Sequence, residues 1–547
     1  MSTSTTVSRQ VELHQHTAAV RDAAENTHQY DATISTTPRT DRLERRWLHA
    51  MSLIITLLVV APLLAVLQLL YTRYKPHLRR VPGPFIASFT NAWRLNANLG
   101  RRPEVIHINL HREYGDLVRI GPNCVSVGAA TEVKQIYGIT RLFQKCLSTT
   151  DEGFTQSKFY PVTRPVANGK PVLGVFDTDS EDLHKILKRP IGHTYAMSTL
   201  LDYEPYVDGT LRVLQARLEE LYVDKGVICD LGEWVHWAAF DVIGEMTFSR
   251  RLGFLEQGRD VGDVIKATQM QLDYLAVIGQ MPFLDKLLMK NPLYIWWKGN
   301  PTSPVTKFAL DCMQQRLQER EKGEGANRRD FLAKFLDAAD KYEGKIPLAQ
   351  VVGWTQANVF AGSDTTHPNV MDKLRAELTA ALQPTTTAIP PYSITNALPY
   401  LSAVIKESLR LHPAVGILLE RLVPNGGATI SGQFLPAGTI VGCNPWVVHR
   451  DTRVYGADAD EFRPERWLEA TDEQRAAMER ADLVFGSGKR TCIGRNISLL
   501  EVHKLVPWMV LRYDIQLAHP GQELKIHNSW FVGQTGLEVY LKRREVS

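Results

Sequence analysis

The sequence predicts a mainly α-helical protein with a small β subdomain, built as one large body behind a single apolar helix. Between about residues 180 and 380, apolar residues recur at three- and four-residue spacing, which is typical of amphipathic helices. Strand-like runs are few and short, and they lie at 117–128, at 428–444 and near the C-terminus. After Pro84 no convincing linker divides the chain, so the body is predicted to be one unit.

The composition is that of an ordinary folded protein, with 44% hydrophobic and 22% charged residues among 547. These values argue against a disordered, collagen-like or coiled-coil chain. Because 63 Lys and Arg nearly balance 59 Asp and Glu, we expect no nucleic-acid partner. Six scattered cysteines include no C-x-x-C pair. A functional cysteine would therefore act alone, as a nucleophile or as a single metal ligand.

The N-terminal part of the chain is predicted to hold a tail, a membrane span and a hinge. Residues 1–50 are polar and read as a disordered tail. Residues 51–71 carry no charge and would form a helix of about 31 Å, enough for one transmembrane crossing. A buried core helix remains the alternative, whereas a cleaved signal peptide fits poorly because about 50 polar residues come first. The VPGP motif closes a predicted proline hinge over 72–84.

One cysteine lies in a glycine-rich loop, FGSGKRTCIGR at 485–495, directly before an apolar helix. The glycines let the backbone pass close to a flat ligand. The helix N-terminus and Arg490 are expected to lower the pKa of the Cys492 thiol, so that a thiolate can bind a metal. Arg490 could also pair with a carboxylate of the ligand. The alternative is a buried structural cysteine.

This loop resembles, position for position, the haem-binding loop F-x-x-G-x-R-x-C-x-G of the cytochrome P450 superfamily. The resemblance implies that Cys492 is the axial thiolate ligand of the iron in haem b. It also implies contacts between the haem and four matched loop residues: Phe485, Gly488, Arg490 and Gly494. Four further matches around one cysteine make the structural alternative remote.

Two charged segments resemble the ion-paired lock of the same family. The segment KESLR has the E-x-x-R spacing, which puts Glu407 and Arg410 on one helix face. Alone, such a pair would indicate only solvated surface charge. The segment FRPERW resembles the family's P-E-R segment. The resemblance implies that Arg466 joins Glu407 and Arg410 in a structural lock behind the haem loop.

The segment FAGSDTT is similar to the family's oxygen-side motif [AG]-G-x-[DE]-T. The resemblance implies that Asp364 and Thr365 are catalytic and relay protons through a hydroxyl and water. After Thr366 the chain departs from the family, because roughly a dozen residues, about 18 Å of helix, are missing. Pro368 disfavours helix at the residue before it. This gap motivates the alternative of a degenerate, non-catalytic haem-binding protein.

Weaker matches complete the haem site. Arg421 falls where the family has an arginine for one haem propionate, and His184 with Lys188 occupies positions that face the other. The same spacing of His184 and Lys188 would also occur on an exposed helix face that binds no haem. The resemblance extends from about residue 81 to the C-terminus and makes 85–547 a cytochrome P450 haem-binding catalytic domain. It is greatest to fungal microsomal members, including the pisatin demethylase-like group.

The resemblance implies a monooxygenase that inserts one oxygen atom from O2 into a hydrophobic small molecule. Hydroxylation or oxidative demethylation in fungal secondary metabolism is expected, and the intact Asp364–Thr365 pair disfavours a haem-thiolate isomerase or dehydratase. The expected pocket-facing segments, by alignment with the family, are apolar and aromatic: 154–176, 281–297, 358–363, 414–418 and 529–533.

The chain has no recognisable flavin module, so the resemblance implies that NADPH is used indirectly, through NADPH–cytochrome P450 reductase. Five basic residues are candidates for docking its acidic face: Lys185, Lys188, Arg189, Lys489 and Arg495. The lipid bilayer is the other expected partner. The resemblance implies a single-pass protein of the endoplasmic reticulum membrane with a cytosolic catalytic domain, an orientation that the flanking charges favour only slightly.

Overall fold

The chain divides into two compact units, Met1–Tyr71 and Thr72–Ser547. The computed structural model describes residues 38–138, 153–164, 166–167, 170–171, 173–299, 304–322, 330–341, 351, 368–382 and 389–544.

One long helix, Pro38–Arg73, contains the apolar run. It begins well before the predicted start at Met51, so residues 38–50, predicted as tail, are helical. Proline is tolerated in the first turn, and the arginine, leucine and glutamate that follow favour helix. Among the described helices, none combines the length and the apolar character that a bilayer crossing demands. The transmembrane helix predicted at 51–71 is accordingly not found.

Helices dominate the second unit, which confirms the predicted mainly α-helical body. Those of eight residues or more are Ala92–Leu99, Pro103–Tyr114, Glu181–Lys188, Glu204–Leu218, Leu231–Phe248, Val264–Ile278, Pro304–Glu321, Phe331–Lys341, Pro368–Ala381, Pro399–Leu411, Asp472–Ala481 and Arg495–Arg512. Shorter α-helices are Val133–Tyr137, Met197–Leu200, Phe254–Gln257, Phe283–Leu287, Pro292–Lys298, Tyr392–Thr395, Pro445–Val448, Thr452–Tyr455 and Arg466–Glu469.

The largest hydrophobic core lies among these helices. The helix Leu231–Phe248 crosses it and is apolar on most of its surface, as expected for a helix that is buried on several sides. Its first turn is capped by Asp230, whose side chain accepts from the Glu233 amide at 3.2 Å. Fully buried side chains at the centre of this core include Leu214, Met246, Phe331, Phe335 and Leu500.

A five-stranded sheet forms the main part of the β subdomain. In spatial order its strands are Leu117–Gly121, Cys124–Val127, Ile440–Gly442, Arg421–Leu422 and Thr155–Gln156. The second and third strands are parallel, and the other neighbours are antiparallel. The sheet therefore joins segments that are about 300 residues apart in sequence.

Smaller sheets lie elsewhere in the second unit. Their strands are Tyr513–Leu517 with Glu538–Arg543 and Cys229–Asp230, Lys525–Ser529 with Phe531–Thr535, Ala428–Ile430 with Gln433–Leu435, and Val166–Ala167 with Lys170–Pro171. The strands predicted at 117–128, at 428–444 and near the C-terminus are confirmed. The two-residue strands were missed because so short a segment carries no periodic signal.

The proline hinge is anchored to the edge strand of the five-stranded sheet. The amide of Arg119 donates to the carbonyl of Pro82 at 2.6 Å. The buried guanidinium of Arg119 donates to the carbonyls of Thr72 and Arg73 at 2.6 and 3.0 Å. Gly83 approaches Arg119 so closely that a Cβ would collide with its carbonyl oxygen. Only glycine fits at this position of the hinge.

Candidate functional site

The glycine-rich segment at residues 485–494, called the cysteine loop below, folds back on itself before the helix Arg495–Arg512. The amide of Cys492 donates to the carbonyl of Phe485 at 2.8 Å. Gly486 and Gly488 have φ of 67° and 69°, values that side chains rarely adopt. A Cβ on Gly488 would collide with the carbonyl oxygen of Tyr137. The glycines therefore allow a tight loop that presents the cysteine at a helix N-terminus.

The sulfur environment differs from the expectation drawn from sequence. Cys492 is exposed by its accessible area, yet protein surrounds the sulfur closely enough that desolvation raises the pKa of its thiol. The amides of Gly494 and Arg495 and the charge of Lys188 oppose that rise without reversing it. The expected lowering of the pKa by Arg490 is thus wrong, because burial outweighs the nearby positive groups. Binding of a metal would have to displace the proton.

Four basic side chains, His184, Lys188, Arg421 and Arg490, form a group that we call the cation cluster. Two come from the helix Glu181–Lys188, one from a strand of the main sheet and one from the cysteine loop. The Nζ atom of Lys188 donates to the carbonyl of Lys489 at 3.3 Å, which ties the helix to the loop.

The members of the cation cluster interact with one another electrostatically. Burial, followed by the charges of Arg490 and Lys188, lowers the pKa of His184 to about 4. Burial also lowers the pKa of Arg490, against the opposing effect of its partner Glu181, which lies 2.8 Å from Nη2. Within the described residues, neither Lys188 nor Arg421 has a carboxylate partner. Among the residues that the structure describes, Lys188 and Arg421 therefore carry positive charge that no carboxylate compensates.

Two tyrosines hold Arg421: Tyr137, which no predicted site segment includes, and Tyr160, which lies in the expected pocket-facing segment 154–176. Its guanidinium lies 4.9 Å from the ring centroid of Tyr137 and donates to the hydroxyl of Tyr160 at 3.1 Å. The hydroxyl of Tyr137 donates to Leu419 and accepts from Cys443, both at 2.7 Å. No local motif marks either tyrosine, because both act through contacts that are remote in sequence.

The chemistry of these donors fits a haem. One sulfur ligand stands in a glycine-lined loop, and uncompensated cations lie on the adjoining helix and strand, where carboxylates of a bound group would neutralise them. Haem carries two propionate carboxylates, so Arg421, Arg490, His184 and Lys188 are the residues that would hold them. Cys492 would hold the iron.

The predicted lock residues lie together in the interior. Glu407 has no exposed surface, and Arg410 and Arg466 are also buried. One oxygen of Glu407 accepts from Arg410 Nη2 at 2.8 Å and from Arg466 Nε at 2.9 Å. Arg466 also pairs with Asp458 at 3.0 Å. The geometry is that of a buried triad rather than of solvated surface charges.

The oxygen-side residues Asp364 and Thr365 lie outside the described residues, as does Thr366 at the proposed gap. The described chain resumes at Pro368, where the helix Pro368–Ala381 begins. Proline fits this position because the first residues of a helix need no amide hydrogen bond.

An aromatic cluster adjoins Arg421 through Tyr160. Trp530, at the turn between two strands, stacks on Phe159 with centroids 5.3 Å apart and meets Phe176 edge-on at 5.5 Å. Tyr160 lies 5.5 Å from Phe176. Trp530 has a φ of 89°, which is a strained backbone conformation for a bulky residue. Such a conformation persists only when the surrounding structure imposes it. These rings come from two of the expected pocket-facing segments.

Another of the expected pocket-facing segments, 281–297, carries an exposed apolar surface. Leu293 and Trp296 are 75% and 82% exposed. Phe283, Leu287 and Met289 are also mostly exposed. Their exposure distinguishes them from the aromatic cluster beside Arg421.

The candidate docking residues are not equivalent. Lys185, Arg189, Lys489 and Arg495 are exposed. Lys188 is half-buried and belongs to the cation cluster. Arg495 also lies over the ring of Phe485, 5.9 Å from its centroid.

Known proteins resemble this chain over most of its length. The family described as Cytochrome P450 matches residues 82–542. A "Cytochrome P450 monooxygenase" of Aspergillus terreus is 43% identical over 80% of this chain and 90% of its own length. The "Cytochrome P450 monooxygenase cicH" of Emericella nidulans is 40% identical, covering 88% of this chain and 97% of the relative. For "mpaDE" of Penicillium roqueforti the identity is 37%, and the match spans 89% of this chain but 58% of that protein.

These matches favour an enzyme over a degenerate haem-binding protein. The family holds haem through a thiolate, and the relatives are fungal monooxygenases. The chain therefore belongs to the cytochrome P450 monooxygenase family, a family of oxidoreductases.

Proposed function

We propose that this protein inserts one oxygen atom from O2 into a hydrophobic small molecule of fungal secondary metabolism, by hydroxylation or oxidative demethylation. The observation that carries the proposal is the cysteine of a glycine-rich loop beside the cation cluster, in which Lys188 and Arg421 have no carboxylate partner among the described residues. When bound, the haem supplies the activation of O2 with two electrons delivered one at a time. No observation within the described residues supports the alternative of a non-catalytic haem-binding protein.

Each protein group has a separate task in this proposal. Cys492 would ligate the iron, and the loop amides of Gly494 and Arg495 would stabilise the negative charge on its sulfur. Arg421 and Arg490 would hold the propionates. The matched motif assigns proton delivery to Asp364 and Thr365.

The aromatic cluster supports an apolar substrate. Phe176 is part of the cluster and yet is 44% exposed, so its ring can contact a ligand, and the buried Trp530 gives that wall a rigid backing. Aromatic side chains contribute large apolar contact areas, and they favour flat or cyclic hydrophobic molecules. Binding of such a substrate requires neither nucleic acid nor charged side chains that contact the substrate.

Electrons come from NADPH–cytochrome P450 reductase in this proposal. Four exposed cations support docking of an acidic partner on the side of the cysteine loop. Charge reversal at Arg189 and Lys489 should lower reductase-supported turnover at low ionic strength. Turnover driven by peroxide should not change, since it bypasses the reductase.

The matched control is Lys542→Glu, which reverses an exposed charge on the strand Glu538–Arg543. This variant should keep both activities. Equal loss of reductase-driven and peroxide-driven turnover in the Arg189 and Lys489 variants would contradict the docking role.

Association with the endoplasmic reticulum membrane is the remaining part of the proposal, with the catalytic domain in the cytosol. The uncharged run at 51–71 supports it, as do the exposed side chains of Leu293 and Trp296. Flotation with lipid vesicles should recover the full chain, and deletion of 51–71 should reduce that recovery. Recovery of both proteins in the lipid-free fraction would contradict membrane association.

The enzyme is tested by NADPH consumption coupled to oxygenated product, using the reductase and a panel of hydrophobic metabolites. A product that gains one oxygen atom from ¹⁸O2 supports the proposal. Haem binding without any oxygenated product would favour the non-catalytic alternative.

A further inference from the structure

A buried histidine that no motif of the sequence analysis includes lies between the lock and the cysteine loop. His449 follows the helix Pro445–Val448 and is 1% exposed. Its Nδ1 lies 3.1 Å from the carbonyl oxygen of Arg410, and its Nε2 lies 2.9 Å from the amide nitrogen of Leu483. One ring thus contacts Arg410 of the lock and Leu483, which lies two residues before the cysteine loop.

These partners determine the protonation state of the ring. A carbonyl oxygen can only accept, so Nδ1 of His449 must carry the proton that is donated to Arg410. The amide of Leu483 can only donate, so Nε2 must be unprotonated. The neutral form is also favoured because burial lowers the pKa of His449 to about 4. A second proton on the ring would oppose the Leu483 N–H.

Both backbone groups need this ring. Arg410 lies in the last turn of the helix Pro399–Leu411, where carbonyl groups have no partner within the helix. Leu483 is 1% exposed, so its amide is shielded from water. Loss of the imidazole would leave a buried donor and a buried acceptor unpaired.

The contact with Arg410 runs in both directions. Besides accepting from His449, Arg410 donates through Nη1 to the carbonyl of His449 at 2.7 Å. The same guanidinium holds Glu407. The position of the lock therefore determines the position of the imidazole.

The contact with Leu483 leads to the cysteine loop. The carbonyl of Leu483 accepts from the amide of Gly486 at 3.0 Å, which forms the turn that begins the loop. The carbonyl of Phe485, within that turn, accepts from the amide of Cys492 at 2.8 Å. Three consecutive hydrogen bonds thus connect the imidazole with the cysteine.

We propose that His449 is a positioning residue that couples the lock of Glu407, Arg410 and Arg466 to the cysteine loop and so holds the sulfur of Cys492 in place. The inference rests on the proposed function, since it assumes that this sulfur binds haem iron. A histidine that only fills the core would stabilise the whole body without a specific effect on the loop.

Two isosteric variants separate these roles. His449→Gln places an amide oxygen near the position of Nε2 and can accept from Leu483. His449→Asn places its amide near Nδ1, where it can donate to Arg410 but cannot reach Leu483. Only the glutamine variant should keep the hydrogen bond from the Leu483 amide, and with it the position of the cysteine loop. His412→Phe is the matched control, because His412 is another largely buried imidazole, with Gln534 and Trp446 as its neighbours.

The first measurement is the conversion of the reduced, CO-bound holoenzyme from its thiolate-type Soret band to a non-thiolate band. His449→Asn should convert roughly tenfold faster than wild type, the effect expected when one buried amide loses its hydrogen bond. His449→Gln should convert close to the wild-type rate, and so should His412→Phe. Equal rates for the asparagine variant and wild type would overturn the proposal.

The second measurement is amide hydrogen exchange over residues 483–492, with the helix Leu231–Phe248 as an internal reference. In His449→Asn, exchange should rise in the loop and stay unchanged in the reference helix. A uniform rise in both would indicate a core-filling role only. Because exchange needs no haem, it tests the coupling even if wild type lacks a thiolate band, a result that would refute the proposed function instead.

Discussion

The substitution Glu407→Gln tests how much the buried lock contributes to the stability of the folded protein. The carboxylate accepts five hydrogen bonds between 2.8 and 2.9 Å. Two come from the guanidinium of Arg410, one from that of Arg466, and two from the Arg463 amide and the Trp467 indole. Glutamine keeps the shape of the side chain but removes its negative charge.

The magnitude follows from what the substitution leaves behind. Arg410 and Arg466 are 1% and 3% exposed, and removal of one member of a buried ion pair costs about 3–5 kcal/mol. Both guanidiniums keep backbone carbonyl partners, and Arg466 keeps Asp458. We therefore expect Glu407→Gln to lower the free energy of unfolding by about 3 kcal/mol. This corresponds to a change on the order of one hundredfold in the unfolding equilibrium constant.

The matched control is Glu469→Gln. Glu469 pairs with Arg463 at 2.6 Å, but both side chains are substantially exposed, and such pairs contribute about 0–1 kcal/mol. Urea unfolding followed by circular dichroism should give a lower midpoint for Glu407→Gln and almost no change for the control. Equal midpoints for the two variants would refute the argument from burial.

The same carboxylate predicts a pH dependence. Burial opposes its ionisation, but the hydrogen bonds and charge of Arg410, with help from Arg463 and Arg466, hold the pKa of Glu407 below its ordinary 4.5. A lowered pKa means that the unfolded state binds the proton more readily. The contribution of the Glu407 carboxylate to the stability of the folded protein is therefore complete above about pH 4.5. It is lost as the pH falls through the lowered pKa of the folded state. Glu407→Gln should lose this part of the acid dependence.

Three further variants test the candidate site. Arg421→Leu would remove the charge-assisted contact proposed for a haem propionate and should weaken haem retention roughly ten- to hundredfold, measured as haem transfer to an apoglobin. Gly488→Ala forces a Cβ against the carbonyl of Tyr137 and should lower the haem-bound fraction after purification, whereas an unchanged fraction would contradict the tight loop. Trp530→Ala removes the ring that stacks on Phe159 and should raise KM for aromatic substrates more than it changes haem content; an unaltered substrate profile would exclude a specificity role.

Short motifs predicted much of the candidate site because their chemistry is local. The Cys492 loop carries its glycines and its arginine within a few residues, and the structure has them in one tight loop before the helix Arg495–Arg512. The E-x-x-R spacing predicted that Glu407 and Arg410 share a helix face, and the distant P-E-R segment completes their triad.

Long-range contacts were beyond this approach. Tyr137 and Tyr160 reach Arg421 from segments more than 250 residues away, and nothing in their local sequence identifies them. The sequence predicted a lowered pKa for the Cys492 thiol, but its pKa is raised. The prediction was wrong because desolvation depends on the packed surroundings, which a motif does not contain. His449 was missed for a related reason, since its importance lies in joining two segments that meet only in the folded chain.

We propose that Cys492 binds haem iron as a thiolate, and the reduced, CO-bound difference spectrum of the purified full chain tests this ligation. Wild type should show a thiolate-type Soret band, and Cys492→Ser should lose it. Absence of haem from wild type, or the Soret band of a haem without a thiolate ligand, would contradict it.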